Sequence, residues 1–453
     1  MYGSMAKFQT TFPLGEKFFG SATAKLGPEQ TAALYSYIPR QFHNNKYIQT
    51  TISIMGSVAP HIAELDGSKF NITRSTNLRD VPLPGSPEEL SHSYCTDHMV
   101  SVRWTAANGW ETPEVKPYGN LSIAPTASCL HYATECFEGM KVYRGYDGKL
   151  RLFRPDCNGE RLNTSAQRSS LPGFKYDELK KLVAKLMEID GPRWLPKDRT
   201  GSFLYIRPTI IGNGPHLGVQ VPKEALLYII AVPWPDPSKL KKEGQTEPSK
   251  GLKLFGSTPD TIRAWPGGFG WAKLGANYGP SLQAHGKAQA LGFDQILWLF
   301  GEDRQVTEAG ASNFFIIWHN AETGKLELVT APLENQLILP GVTRRSVLEL
   351  VRDRLSENFV GKLAPLDAVE RTLTIGEIEK AAKEGRIVES FVSGTAYFIT
   401  PVAMIRSNDT DISTLGPNGE AAGYAAQIKS WLEVIMFGKE EHDWAYVVED
   451  EKQ

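Results

Sequence analysis

Apolar positions along this chain switch between a period of two and a period of about 3.6, and the switching sets out its elements. Residues 100–104, 203–211 and 226–232 are short β-type runs and predict strands. Residues 176–189 carry Leu179, Leu182, Val183 and Leu186 at helical spacing and predict an amphipathic helix. The stretch 233–250 is dense in Pro, Lys, Glu and Gly, the composition of a solvated connector. Beyond it, 252–256 predicts a short strand and 267–278 a glycine-rich loop. Residues 280–291 predict a helix with Pro280 at its start and Gly292 just past its end. Residues 295–300 and 313–318 predict two strands joined by a turn at Gly301, Glu302 and Asp303. A further helix is predicted over 342–354, entered through Pro340 and Gly341. The pattern is α+β with mixed sheets in two domains. It divides into an N-terminal extension over 1–90, a small α/β domain over 91–232, a linker over 233–250 and a large domain over 251–453.

Composition narrows the class of protein. The 453 residues are enough for two packed cores, and 49 Lys plus Arg stand against 51 Asp plus Glu. So even a balance gives no reason to expect nucleic acid or an anionic membrane as partner. The most apolar run, 225–232, has strand length and stops at Pro233, far short of the roughly 20 residues a bilayer span needs. Cys95, Cys129, Cys136 and Cys157 form no CxxC pair and no zinc-ligand spacing, so reduced thiols and no metal site are expected. The first 63 residues hold five basic residues, two acidic ones (Glu16 and Glu29) and eleven Ser or Thr, a bias shared with organellar transit peptides. Arg40 is the only arginine among them and no amphipathic basic helix is obvious, so mitochondrial and cytoplasmic locations both stay open.

The chemistry concentrates after the connector. Five glycines surround Lys273 in GGFGWAKLGANYGP, residues 267–280. Backbone without Cβ atoms lets a bulky planar ligand approach closely, and a partly desolvated lysine is a nucleophile suited to a carbonyl cofactor. A nucleotide loop is a weak reading of this stretch, because neither GxxxxGK[ST] nor a strand-to-helix GxGxxG occurs. Glu308, in TEAGASN at 307–313, stands at a strand-turn junction, where a carboxylate can pair with a protonated ring nitrogen. Arg161, Arg207, the helix entry PGVT at 340–343 and the turn SGTA at 393–396 are candidate anion sites. Each alone has an ordinary reading as a solvated loop, turn or cap.

Taken in order, these blocks resemble the branched-chain aminotransferases, members of the fold type IV pyridoxal-phosphate enzymes. The likeness runs from TDHM at 96–99 through HYATECFEGMK at 131–141, RLFRP at 151–155, YIRP at 205–208, KLGANYGP at 273–280, TEAG at 307–310, LPGV at 339–342 and SGTA at 393–396. The resemblance implies a D-amino-acid-aminotransferase-like fold with the cofactor between the domains. Lys273 is then the Schiff-base lysine and general base, Glu308 the partner of the pyridine nitrogen, and Tyr278 the partner of the phenolic oxygen. Arg161, the backbone of Val342 and Thr343, and Thr395 hold the phosphate. Thr395 and Ala396 face the substrate carboxylate. Tyr132, Phe137, Tyr205, Leu217 and Val219 form the side-chain pocket, with Arg207 at its edge to admit glutamate. Tyr132, Leu217 and Val219 reach across from a second subunit in that family, so a homodimer is implied.

The implied reaction is a ping-pong transfer between L-leucine, isoleucine or valine and 2-oxoglutarate. Two other readings are a D-amino-acid or amine transaminase or aminodeoxychorismate-type lyase of the same fold, and a cofactor-binding protein without turnover. Retention of Lys273, Glu308, Tyr278 and Arg161 argues against the last. The chain departs from relatives in two places. It has YFIT at 397–400 where vertebrate members carry a CxxC pair, and Ala311 where some carry Thr.

Overall fold

The computed structural model describes residues 62–235, 251–357, 361–396, 398–416 and 418–450. Nearly all of the stretch weighed as a transit peptide, and most of the expected linker, lie outside the described residues. Two sheets and eight α-helices make a two-domain α+β fold among the described residues. The first sheet takes β1 (Asn71–Ile72), β2 (His98–Thr105), β3 (Gly109–Trp110), β4 (Glu114–Pro117), β5 (Glu135–Phe137), β6 (Met140–Arg144), β7 (Leu150–Phe153), β8 (Phe203–Gly212) and β9 (Glu224–Pro233). The second takes β10 (Leu252–Gly256), β11 (Gln295–Phe300), β12 (Gln305–Ala309), β13 (Ser312–His319), β14 (Leu326–Thr330), β15 (Asp367–Glu370), β16 (Ile387–Gly394), β17 (Phe398–Ser407) and β18 (Thr410–Ser413). The last strand, β19 (Ala445–Val448), returns to pair with β7, so the chain after residue 251 is not confined to the second sheet. Residues 62–90, read as part of an extension, likewise supply β1 to the first.

The helices are α1 (Pro87–Leu90), α2 (Ser128–Tyr132), α3 (Pro155–Arg168), α4 (Tyr176–Trp194), α5 (Ser281–Ala290), α6 (Val342–Arg354), α7 (Ile375–Lys383) and α8 (Tyr424–Met436). In the first domain, α3 and α4 lay Leu162, Ala166, Leu179, Leu182 and Leu186 on Val100, Val142, Leu204 and Leu227 of the sheet. Each leucine so buried stabilises by about 1.5–3 kcal/mol, enough to seat α3 firmly beneath the site. Helix α4 runs past its predicted end at residue 189, because Asp190 and Trp194 have tertiary partners. Asp190 accepts from the His98 backbone N–H, and the Trp194 indole N–H donates to Asp97.

In the second sheet, β12, β11, β10, β17, β16 and β13 pair in turn, and β12 also pairs with β13, so six strands close on themselves. Leu254, Leu297, Phe314, Ile316, Val392 and Val402 fill one core there, while Phe315, Ile317 and Phe391 face α6 and α8. This closure corrects the sequence reading. The predicted strands at 295–300 and 313–318 are not joined by one turn: β12 lies between them, carrying Thr307 and Glu308 as strand residues. Its polar residues read as a loop because the groups that compensate their burial come from elsewhere in the chain.

Candidate active site

Pairing across the closed strands places the first part of the site. Asn313 on β13 is opposite Glu308 on β12 and opposite Ser393 on β16, so the three stand in one row on one face. Glu308 is buried to 2% exposure. Its Oε1 accepts from the Leu339 backbone N–H at 2.8 Å and from the Asn313 amide at 3.3 Å. Its Oε2 meets the Arg263 guanidinium at 2.8 Å. Burial pushes the Glu308 carboxyl above the usual carboxylate range, with Arg263 opposing the rise.

The segment 339–341 that leads into α6 is held from three sides. Glu308 takes the Leu339 N–H, Asn313 donates to the Leu339 carbonyl at 3.0 Å, and Arg161 donates to the Pro340 carbonyl at 3.0 Å. Gly341 must lack a side chain, since a Cβ there would collide with the Asn313 amide oxygen. The free N–H groups of Val342 and Thr343, first residues of a 13-residue helix, are thereby fixed relative to the Arg161 guanidinium.

Arg161 projects from α3 and is itself anchored. Its Nε and one terminal nitrogen meet the two oxygens of Glu138 at 2.7 and 2.8 Å. Glu138 is fully buried and also accepts from the Asn158 amide at 2.7 Å. Burial disfavours its charge, but Arg161 outweighs that and holds the carboxyl below the ordinary range. Lys273 docks on the same framework: its backbone N–H donates to Ser165 of α3 at 2.9 Å, and its carbonyl accepts from the Phe137 N–H at 3.1 Å. Its amine donates to the Tyr278 hydroxyl at 3.0 Å and lies 4.8 Å from the centre of the Phe137 ring. The Lys273 charge acts on both Glu138 and Glu308, so the amine sits in the field of two buried carboxylates, each paired with an arginine.

Around the amine stands an aromatic wall. The Phe137 and Tyr278 rings are 4.9 Å apart, and the Arg207 guanidinium lies 4.7 Å from the Phe137 centroid. Arg207 also reaches the Tyr205 hydroxyl at 3.4 Å, and Tyr205 stacks on Trp234 at 4.6 Å. Arg207 Nε and Ser393 Oγ are buried without partners.

The structure therefore brings together Lys273, Tyr278, Phe137, Tyr205 and Arg207, and separately joins Arg161, Val342 and Thr343 to Glu308 through residues 339–341. Thr395 and Ala396 form the half-buried turn that follows Ser393. Tyr132, Leu217 and Val219 stand on the surface instead, at 39%, 64% and 89% exposure. Glu138, Arg263, Asn313 and Ser165 escaped the sequence reading. For Glu138 a signal existed, a lone carboxylate in the apolar run from Cys136 to Met140.

A lysine amine beside a phenol, an arginine-backed buried acid and a helix start are the groups that a phosphate-bearing carbonyl cofactor calls for. A family model for class IV amino-transferases matches residues 135–405, and the chain belongs to that family. It is 43% identical over 391 residues to the cytosolic branched-chain-amino-acid aminotransferase of Saccharomyces cerevisiae, covering 86% of this chain and 99% of that one. With the mitochondrial enzyme of the same yeast it shares 42% over 412 residues, covering 90% and 99%. In structure it superposes on the branched-chain aminotransferase of Thermoproteus uzoniensis with norvaline with a TM-score of 0.57 and 24% identity, covering 77% of this chain and 99% of that one. Cytosolic and mitochondrial proteins thus match about equally. No helix among the described residues is long and apolar enough to cross a membrane.

The residues present fit pyridoxal phosphate. Ser393 Oγ is an orphaned hydroxyl in the same cross-strand row as the Glu308 acid. The Arg161 guanidinium and the free α6 N–H groups are donors of the kind a phosphate needs, and the Lys273–Tyr278 pair supplies an amine and a hydroxyl of the kind a carbonyl and a phenolic oxygen need.

Proposed function

We propose that this protein moves the α-amino group reversibly between L-leucine, isoleucine or valine and 2-oxoglutarate. The observation that carries the reading is the Lys273 amine, 3.0 Å from the Tyr278 hydroxyl and in the field of the arginine-paired carboxylates Glu138 and Glu308. Pyridoxal phosphate, when bound, supplies an aldehyde that exchanges with the amino group and a ring that withdraws electrons from the substrate Cα. Arg161, the backbone N–H groups of Val342 and Thr343, and Thr395 would hold its phosphate; Glu308 would keep a proton on its ring nitrogen; Tyr278 would hydrogen-bond its phenolic oxygen.

The protein's own part is positioning and proton transfer. Lys273 Nζ is the base that would take the proton from the substrate Cα, and the Tyr278 hydroxyl orients that amine. Thr395 and Ala396 present donors to the substrate carboxylate. Phe137 and Tyr205 wall an apolar pocket in which each buried methylene is worth about 0.8 kcal/mol, so leucine, isoleucine and valine are separated only mildly. Arg207 stands at the edge of that pocket with no carboxylate among its described partners, and its buried Nε has no partner at all. It receives the side-chain carboxylate of glutamate or 2-oxoglutarate in the second half-reaction. One site thus takes both an apolar and an acidic substrate in turn. Leu217, Val219 and Tyr132 complete the pocket of a second copy, which makes the working form a homodimer.

Assaying L-leucine and D-alanine separately with 2-oxoglutarate tests the reading. Glutamate formation from L-leucine is the expected result, and a preference for D-alanine would overturn the substrate assignment.

A further inference from the structure

We propose that Arg263, to which no motif in the sequence points, is a positioning residue for this reaction, fixing the charge and direction of Glu308 through their buried ion pair. The inference rests on the assignment of Glu308 to the ring nitrogen made above. Arg263 lies in the loop ahead of the glycine-rich stretch, and its side chain is 6% exposed against 2% for Glu308. The contact is 2.8 Å, and the same guanidinium is braced by the carbonyls of Gly270 at 3.3 Å and Leu337 at 3.5 Å. Glu308 Oε1 is already occupied by two neutral donors, the Leu339 N–H and the Asn313 amide. Neutral donors alone compensate poorly for removing a carboxylate from water.

The cations that act on Glu308 are Arg263, Lys273 and Arg161. Arg161 is bound on two of its nitrogens by Glu138, and the Lys273 amine is turned to Tyr278. Arg263 alone touches the acid. Without it, burial drives Glu308 toward the neutral acid, and a carboxyl that keeps its own proton would no longer hold one on a ring nitrogen. Arg263 therefore sets how strongly the site draws electrons from the substrate, although it touches neither substrate nor reacting atoms. The strand pairing explains why the arginine is needed: Glu308 stands with Asn313 and Ser393 on the face of the closed strands turned toward the entry to α6, where it is covered to 2% exposure and cut off from water.

The experiment follows the single-turnover half-reaction of the holoenzyme with L-leucine against pH for the wild type, Arg263→Gln and Arg263→Lys. Infrared spectra of the cofactor-free proteins report a protonated carboxyl directly, with Arg263→Gln/Glu308→Gln as the blank. The Gln variant is expected to be slower by about 10- to 100-fold at neutral pH, the loss of one charge-assisted hydrogen bond. It should recover as pH rises, and show at neutral pH a protonated-carboxyl band that the double variant lacks. The Lys variant, which keeps a cation and controls for folding, should stay within about threefold of wild type with a flat profile. A Gln variant with the wild-type rate and no such band overturns the proposal, and so does a loss that pH does not relieve. Borohydride trapping of the wild type at Lys273 separates the two levels. If trapping succeeds while Arg263→Gln behaves as wild type, only the role of Arg263 fails; if trapping fails, the reading beneath it fails as well.

Discussion

Arg161 and Glu138 form a two-pronged ion pair, 2.7 and 2.8 Å, in which the carboxylate is fully buried. The arginine assigned to the cofactor phosphate is thereby aimed by a second residue. Glu138→Ala leaves a guanidinium unpaired in the interior, and we predict a loss of about 3–5 kcal/mol in denaturant unfolding. The pH dependence has a definite sign. Because Arg161 outweighs burial and holds Glu138 below its unfolded value, the pair's contribution is complete above the usual glutamate range. It is lost as pH falls through the lower folded value. Wild type should therefore lose its advantage over Glu138→Gln on acidification; a pH-independent gap contradicts the assignment.

Arg207 should discriminate between the two half-reactions. Arg207→Met removes a cation whose buried Nε has no partner, so stability should change little. The KM for 2-oxoglutarate should rise about 10- to 100-fold, the worth of a charged hydrogen bond, while the half-reaction with leucine stays within about threefold. Equal losses with both substrates would place Arg207 outside the acidic subsite.

Gly139 lies against the end of Tyr205, where an added Cβ would collide with the phenolic hydroxyl. Gly139→Ala should displace that ring and lower kcat/KM for leucine by about 100-fold, the usual cost of an ångström of misplacement. Tyr205→Phe removes the nearest colliding atom and leaves only the ring carbon behind it in close contact, so Gly139→Ala/Tyr205→Phe should recover part of the loss. A double variant no better than Gly139→Ala would show that the damage lies elsewhere.

The exposed loop residues Leu217 and Val219 test the assembly. Sedimentation of the wild type should give a dimer, and Leu217→Asp/Val219→Asp should shift it toward monomer and raise the KM for leucine. A dimer with unchanged kinetics after both substitutions would remove these residues from the pocket.

Much of the site can be read from local sequence because its parts are local. Lys273 and Tyr278 share one glycine-rich loop, and the PGV turn opens α6 where helix-entry chemistry indicates. What could not be read depends on distant partners. Glu138 looks out of place in an apolar strand until Arg161, 23 residues on, faces it. Glu308 reads as a turn residue because β12 is short and sets polar Gln305, Thr307 and Glu308 among only two apolar residues, and its burial makes sense only when the strands close and Arg263 arrives from an earlier loop. Helix α4 outruns its apolar periodicity for the same reason, since Trp194 hydrogen-bonds Asp97 across the domain. Hydrophobic period marks elements; paired charges inside them emerge only in three dimensions.

The most direct test reconstitutes the protein with pyridoxal phosphate, reduces it with borohydride and maps the labelled peptide. The account predicts a single label at Lys273, its loss in Lys273→Ala, and its disappearance when L-leucine is added before the reductant. A label on another lysine, or none after reconstitution, would contradict it.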